Sequence, residues 1–299
     1  MTDWQAIQVP VKLDHWSHSA DQSWRRCPLQ WYRRSVLKLT PRVTKHQLSL
    51  GTAVHHSLQH FYSLPPADRT SDMLMQRFEA AMQHQRVDIQ QYGSEVDRSE
   101  FEDSLDRGRL TISTLWKIKG KDEEIPQCQT EVGADITIPG TGGTPFRFRV
   151  DGLYLRGDNF LLENKTTARR TQESLEQFDT QTLRYLWALQ QMGHQVTDVI
   201  WNVITVAGRS TRGGLTRVRV RPTVSEINWA VADMPYIVND IQRPDRLITT
   251  SWNDTCTWGC EFYKLCLTER LGGDASHILA EHFKQRDSQA EPAAPDVDG

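Results

Sequence analysis

No run of eighteen or more apolar residues occurs in this chain of 299 residues, which argues against a bilayer-spanning helix. The opening MTDWQAIQVPVKLDHW does not pair a cationic start with an apolar stretch, so it does not read as a secretory signal. The expected location is therefore the cytoplasm. Cysteine is scarce: there are five, and in a reducing compartment they do not form a disulfide framework. Where several lie close together, metal binding is the better reading. An excess of charge of one sign is missing too. The formal net charge is −3, and residues 284–299 hold four acids against two bases, so the body is close to neutral. A near-neutral body still accommodates a basic groove beside an acidic site, so net charge excludes no class of partner. Internal repeats are also absent. What is present is 38% hydrophobic residues, enough over this length for one large core or two small ones.

Periodicity divides the chain. Residues 1–15 read as an N-terminal arm, and Ser19-x-x-Gln22 as the start of a short helix running into Arg25, Arg26, Cys27 and Pro28. Leu50, Val54, Leu58, Phe61 and Tyr62 fall at helical spacing, and a Gln- and charge-rich helical region continues to about Lys121, with Ser99-x-x-Glu102 as a further helix start. Beyond Pro126 the period changes. ADITI, PFRFRVDGLYL and FLLENK, separated by PGTGGT and RGDN, read as strands and turns. Phe146, Phe148 and Val150 alternate with Arg147, Arg149 and Asp151, as in a strand with one buried face. An amphipathic helix follows, with Leu175, Phe178, Thr182, Tyr185, Leu189 and Met192 on one side and Gly193 as its stop. Two more strands fall near 199–206 and 214–220, and Thr223-x-x-Glu226 opens another helix. A single domain is expected over 16–285, and the small, polar 286–299, with its prolines, is expected to be a disordered tail.

Certain polar residues carry chemistry. Glu163 and Lys165 lie two apart on a strand and share a face, and a hairpin with the strand ending at Asp151 would bring two carboxylates and an ammonium together. Neighbouring carboxylates repel unless a cation lies between them. Their oxygens suit Mg²⁺ or Mn²⁺, which can turn bound water into a nucleophile, while lysine supplies positive charge. Taken alone, the trio also describes a solvated strand face with an ion pair. Its surroundings are more specific: Gly51-x-x-x-His55 lies upstream on a helix, and Gln181-x-x-x-Tyr185 follows, one helical turn apart.

This ordered set, spanning Gly51 to Tyr185, resembles the RecB-like branch of the PD-(D/E)XK nucleases, with Glu-Asn-Lys where Asp is the commoner first acid. The resemblance implies an α/β fold with a restriction-endonuclease-like mixed central sheet flanked by helices, and a helical insertion between His55 and the first core strand. It also implies a metal-dependent DNA nuclease. His55, Asp151, Glu163 and the backbone carbonyl of Asn164 would hold Mg²⁺ or Mn²⁺. Lys165 would act on the attacking water and the scissile phosphate, and Gln181 and Tyr185 would hold the DNA backbone and support the site. Arg169 and Arg170, close after Lys165, are candidate phosphate contacts, as are Arg25/Arg26 and Arg33/Arg34.

Cys256, Cys260 and Cys266 lie within eleven residues, among Trp252, Trp258, Phe262 and Tyr263, and Cys27 lies far upstream. By ligand type, four cysteines suit zinc or an iron–sulfur cluster. The pattern is similar to the iron–sulfur subgroup that contains AddB-type and CRISPR-associated exonucleases, although the late spacing here is C-x3-C-x5-C rather than C-x2-C-x5-C. That similarity implies a structural [4Fe-4S] cluster fastening the ends of the chain, with zinc as the alternative. It also implies single-stranded DNA ends as substrate and recombination or CRISPR adaptation proteins as partners. Two other readings remain: a non-catalytic DNA-binding or scaffold subunit, and a zinc-stabilised interaction protein. Cys128, in a segment that reads as a strand, reads as a small packed residue.

Overall fold

A computed structural model gives the fold and describes residues 7–8, 11–43, 46–168, 179–208 and 211–286. The described residues fall into two compact units, one drawn from 1–43, 137–146 and 233–294, the other from 44–136 and 147–232.

The larger unit begins with three helices, α1 (His46–Tyr62), α2 (Ser71–Tyr92) and α3 (Glu95–Lys119), which pack on one another. Each buries an apolar stripe at helical spacing: Leu74, Phe78 and Met82 on α2, and Phe101, Leu105, Ile112 and Leu115 on α3. Gly108 allows the close approach, because a Cβ there would lie 2.0 Å from the ring of Phe78. The helix start expected at Ser99 is not one. Ser94 and Asp97 form the capping box, with Asp97 N–H donating to Ser94 Oγ at 3.2 Å and Ser94 N–H to Asp97 Oδ2 at 2.8 Å, and the helix then runs through Ser99 unbroken. The Thr223/Glu226 capping box does form, at 2.6 Å and 3.2 Å.

Five strands make one mixed sheet in sequence order: β1 (Gln129–Thr137), β2 (Pro145–Tyr154), β3 (Phe160–Thr167), β4 (Asp198–Thr205) and β5 (Gly214–Val220). β2 and β3 are antiparallel, with Leu153 opposite Leu161; β4 and β5 are antiparallel, with Asn202 opposite Arg217. β3 and β4 are parallel, pairing Glu163 with Trp201 and Asn164 with Asn202. A parallel pair requires a crossover, and α4 (Thr180–Gln191) lies in it. This is the mixed, helix-flanked sheet that the resemblance implies. Leu175 and Phe178 lie outside the described residues. The helix from Thr180 is not one-sided as expected: Gln181 to Leu189 are all buried, and α5 (Val224–Ala232) packs against it.

In the smaller unit the helix His18–Arg26 is capped by Ser17, whose Oγ accepts from Ala20 N–H at 3.2 Å, so Ser19 is not the cap. Trp31 packs against Trp16 and Trp24, with ring centroids 6.3 Å and 5.1 Å away. Leu39–Pro41 pairs with Phe283–Gln285, and Ile7–Gln8 pairs with Leu247–Ile248. Phe262, Leu265, Ala275, Ile278 and Phe283 form a local core against which Cys260 and Cys266 are packed. Among the described residues, no helix is long and apolar enough to cross a membrane. Residues 287–299 of the expected tail lie outside the described set.

Candidate active site

The site is built where α1 crosses the centre of the sheet. Gly51 lets the helix lie close to β3, since a Cβ there would be 3.0 Å from Thr166 Oγ1. His55, one turn later, thereby reaches the sheet, and its Nδ1 lies 3.3 Å from Asp151 Oδ2. The same Oδ2 accepts from the backbone N–H of Asn164 at 2.8 Å and from its side-chain amide at 3.0 Å. Gln59 approaches Asp151 Oδ1 at 3.4 Å. Glu163, 4% exposed, faces α4, where Gln181 Nε2 makes a long contact to its Oε1 at 3.5 Å and donates to Tyr185 Oη at 3.0 Å. Asp179, whose carboxylate accepts from Gln181 N–H at 2.9 Å, caps α4 and fixes where Gln181 begins. His55, Glu163, Asn164, Lys165, Gln181 and Trp201 line one concave pocket.

A family profile for the PD-(D/E)XK nuclease superfamily matches residues 15–267. The chain belongs to the PD-(D/E)XK nuclease superfamily. No curated protein sequence matches it. Among solved structures it is similar to one described as "Putative exonuclease" from Eubacterium rectale, at 10% identity and a TM-score of 0.53, covering 82% of this chain and 88% of that one. That likeness is one of fold. A second structure, SSO0001, overlaps with a TM-score of 0.31 at 16% identity over 60% of this chain and 77% of that chain, and carries no weight.

In this PD-(D/E)XK chain, then, His55, Asp151, Glu163, Asn164, Lys165 and Gln181 come together, with Tyr185 behind Gln181. Arg169 and Arg170 lie outside the described residues. Among the described residues, no three His, Cys, Asp or Glu side chains are drawn into a set that could hold an ion; the approach of His55 to Asp151 is pairwise. Burial alone would push the Asp151 carboxyl up. The charge of His55 and the hydrogen bonds from His55 and Asn164 outweigh that and hold it below the usual carboxylate range. A carboxylate kept ionised beside an imidazole, with a second buried carboxylate on the adjoining strand, is a donor set that suits Mg²⁺ or Mn²⁺.

Trp201, opposite Glu163 on β4, escaped the sequence reading. The Lys165 ammonium lies 5.6 Å from its ring centroid, a cation–π contact that orients the lysine within the pocket. Nothing in the run VIWNVIT distinguishes this tryptophan from an ordinary strand residue; only the register of β4 on β3 places it.

Cys27, Cys256, Cys260 and Cys266 all lie in the smaller unit, although among the described residues no three of them are drawn into a set that could hold an ion. Cys27 Sγ accepts from Ser251 N–H at 3.4 Å, and Cys256 Sγ lies 3.8 Å from Ser251 O. Burial first, then the charge of Glu261 and the neighbouring Cys266 and Cys27, pushes the Cys260 thiol up to about 12. Burial also raises Cys266, against the opposing pull of Arg33, which donates to its Sγ at 2.9 Å. Cys128 stands apart in the larger unit, 4% exposed, its thiol pushed up to about 12 by burial, as expected of a packed residue. Three of the four upstream arginines are already engaged in ion pairs: Arg25 with Asp21 and Asp233, Arg33 with Glu269, and Arg34 with Glu261. Glu131 pairs at the surface with Arg149 at 2.9 Å.

Proposed function

We propose that this protein hydrolyses phosphodiester bonds of DNA, acting as an exonuclease on single-stranded ends. The observation that carries the reading is the convergence of His55 and the Glu163-x-Lys165 pair on one pocket, with Asp151 held against His55 and Asn164 beside it, within a PD-(D/E)XK chain. His55, Asp151, Glu163 and the Asn164 carbonyl would hold Mg²⁺ or Mn²⁺, and such an ion would supply the acidity that makes bound water a nucleophile and positive charge for the phosphate. Lys165, aligned over Trp201, presents its ammonium to the scissile phosphate. Gln181 keeps Glu163 facing the pocket and, with Tyr185, borders the DNA backbone; Arg169 and Arg170 contact phosphates. The finer placement among RecB-like iron–sulfur exonucleases rests on the order of the motifs and on Cys27, Cys256, Cys260 and Cys266. Cys27 and Cys256 flank Ser251, and Cys260 and Cys266 feel the charge of Cys27, a thiol-only set suited to a [4Fe-4S] cluster or to zinc.

The test is degradation of end-labelled single- and double-stranded DNA by anaerobically purified protein, with Mn²⁺ and with excess EDTA. Stepwise shortening of the single strand only with the ion is expected. Intact substrate in both conditions, or full activity in EDTA, overturns the proposal.

A further inference from the structure

A hydrogen-bond relay runs from the edge strand β5 through β4 and β3 to Asp151. Arg217, on the edge strand β5, donates from Nε to Asn202 Oδ1 at 2.9 Å. Asn202, 0% exposed on β4, donates from Nδ2 to Asn164 Oδ1 at 3.0 Å. Asn164 in turn donates from Nδ2 to Asp151 Oδ2 at 3.0 Å. Each amide could in principle be turned the other way, but the two ends of the relay forbid it. A guanidinium has donors only and an ionised carboxylate has acceptors only. Arg217 therefore requires the oxygen of Asn202, which turns the Asn202 amide nitrogen to Asn164. Asn164 must answer with its oxygen, and its own nitrogen is left facing Asp151. Arg217 is held in turn by Asp122, with its NH1 and NH2 at 2.9 Å and 2.6 Å from the two carboxylate oxygens.

We propose that Asn202 is a positioning residue for the metal site: it fixes the polarity of the Asn164 amide, so that Asp151 meets a donor and not a second oxygen. This rests on the active-site reading above. Two features support it. Asn164 gives both a backbone and a side-chain N–H to the same Asp151 oxygen, so turning its amide would put one oxygen against another beside a donor already in place. Asn164 and Asn202 are also register partners on the parallel strands β3 and β4, so the two side chains start side by side on the same face of the sheet.

The telling variant is Asn202→Asp, nearly identical in shape. An aspartate at 202 still accepts from Arg217, so the relay stays bonded at its outer end, but it can offer Asn164 only an acceptor. The Asn164 amide then turns its nitrogen towards residue 202 and its oxygen towards Asp151. Loss of such supporting contacts costs about 10–100-fold in metal affinity. The control is Tyr62→Phe. The Tyr62 hydroxyl accepts from Asn202 Nδ2 at 3.2 Å and donates to Asp122 at 2.8 Å, so its removal loosens the buried cluster without altering the polarity at Asp151.

Mn²⁺ affinity by calorimetry and thermal unfolding are measured on the full chain. Asn202→Asp is expected to bind Mn²⁺ about tenfold or more weakly, whatever its melting temperature. Tyr62→Phe is expected to melt lower with Mn²⁺ affinity close to wild type. Asn202→Leu, which removes both the acceptor for Arg217 and the donor to Asn164 and so leaves the Asn164 amide free to turn, is expected to lose Mn²⁺ affinity in the same direction and decides the matter if Asn202→Asp does not fold. Wild-type Mn²⁺ affinity in Asn202→Asp, or in Asn202→Leu if that variant decides, or equal losses in Asn202→Asp and Tyr62→Phe, overturns the inference alone. Wild-type protein that binds no Mn²⁺ overturns the active-site reading and this inference with it.

Discussion

Arg69 is fully buried and has no carboxylate among its hydrogen-bond partners; backbone carbonyls take its donors instead. Its Nε and NH2 reach Leu64 O at 3.1 Å and 2.9 Å, and NH2 also reaches Pro126 O at 3.1 Å. NH1 reaches the carbonyls of Lys121, Asp122 and Ile125 at 3.1 Å, 2.9 Å and 2.8 Å. The guanidinium also lies 5.1 Å and 5.2 Å from the ring centroids of Phe61 and Tyr62. It therefore ties the end of α1 to the segment that carries Asp122, the anchor of Arg217. In Arg69→Met the bonds to Asp122 O and Ile125 O, both buried, are lost, but Asp122 O still accepts from Ile125 N–H at 3.2 Å, so Ile125 O is the carbonyl left without a donor. An unsatisfied buried carbonyl costs roughly 1–3 kcal/mol, about 2 kcal/mol here. For a domain of this size that is a fall in Tm of roughly 4–8 °C. Arg69→Lys keeps the charge but lacks the planar fork, so it recovers only part of the loss. Thermal unfolding by circular dichroism, with urea titration as a second measure, is the assay. A Tm within about 2 °C of wild type for Arg69→Met would refute the reasoning, because it would mean that carbonyl finds water or another partner at no cost.

The active site makes its own demands. Asp151→Asn, Glu163→Gln and Lys165→Ala are each expected to lower cleavage more than about a hundredfold with the fold retained, and Ca²⁺ to replace Mg²⁺ or Mn²⁺ poorly; wild-type rates in any variant would remove that residue from the site. Anaerobically purified protein is expected to hold iron and acid-labile sulfide, which Cys27→Ser, Cys256→Ser, Cys260→Ser or Cys266→Ser reduces and Cys128→Ser does not. Stoichiometric zinc without iron, after expression with ample iron, would show the cluster reading to be mistaken. Hydrogen bonds first from Arg221 and then from Arg219 hold the Asp198 carboxyl low, against the opposing effect of burial. A carboxyl lower in the folded than in the unfolded chain adds stability that is complete above its unfolded value, near 3.9, and lost as pH falls through its folded value. The Tm gap between wild type and Asp198→Asn should therefore be widest near neutral pH and close on acidification; a gap independent of pH would contradict this.

The acids, the lysine and their order along the chain were legible because a strand projects alternate residues to one face, so Glu163-x-Lys165 must act together whatever the sheet around them. Gly51 and His55 were legible for a similar reason: the motif keeps one helical turn between the small residue that permits contact and the residue that uses it. Alternation also gave the strands their places, and the Thr223/Glu226 capping box marked a helix start that does form. Local pattern failed where several local solutions competed. Ser99 offered a cap as good as Ser94 by type, but only Ser94 stands at the turn where the backbone N–H groups need one. α4 read as one-sided because its sequence period cannot reveal that α5 covers its other flank. The rest depended on long-range register. Trp201 beneath Lys165, and the Arg217–Asn202–Asn164–Asp151 relay, exist because β4 pairs in parallel with β3 at one particular offset. A one-residue slip would turn every one of these side chains to the opposite face. The sequence alone thus nominated the candidate groups; strand pairing decided which neighbours hold them, because contacts between residues tens of positions apart leave no periodic trace along the chain.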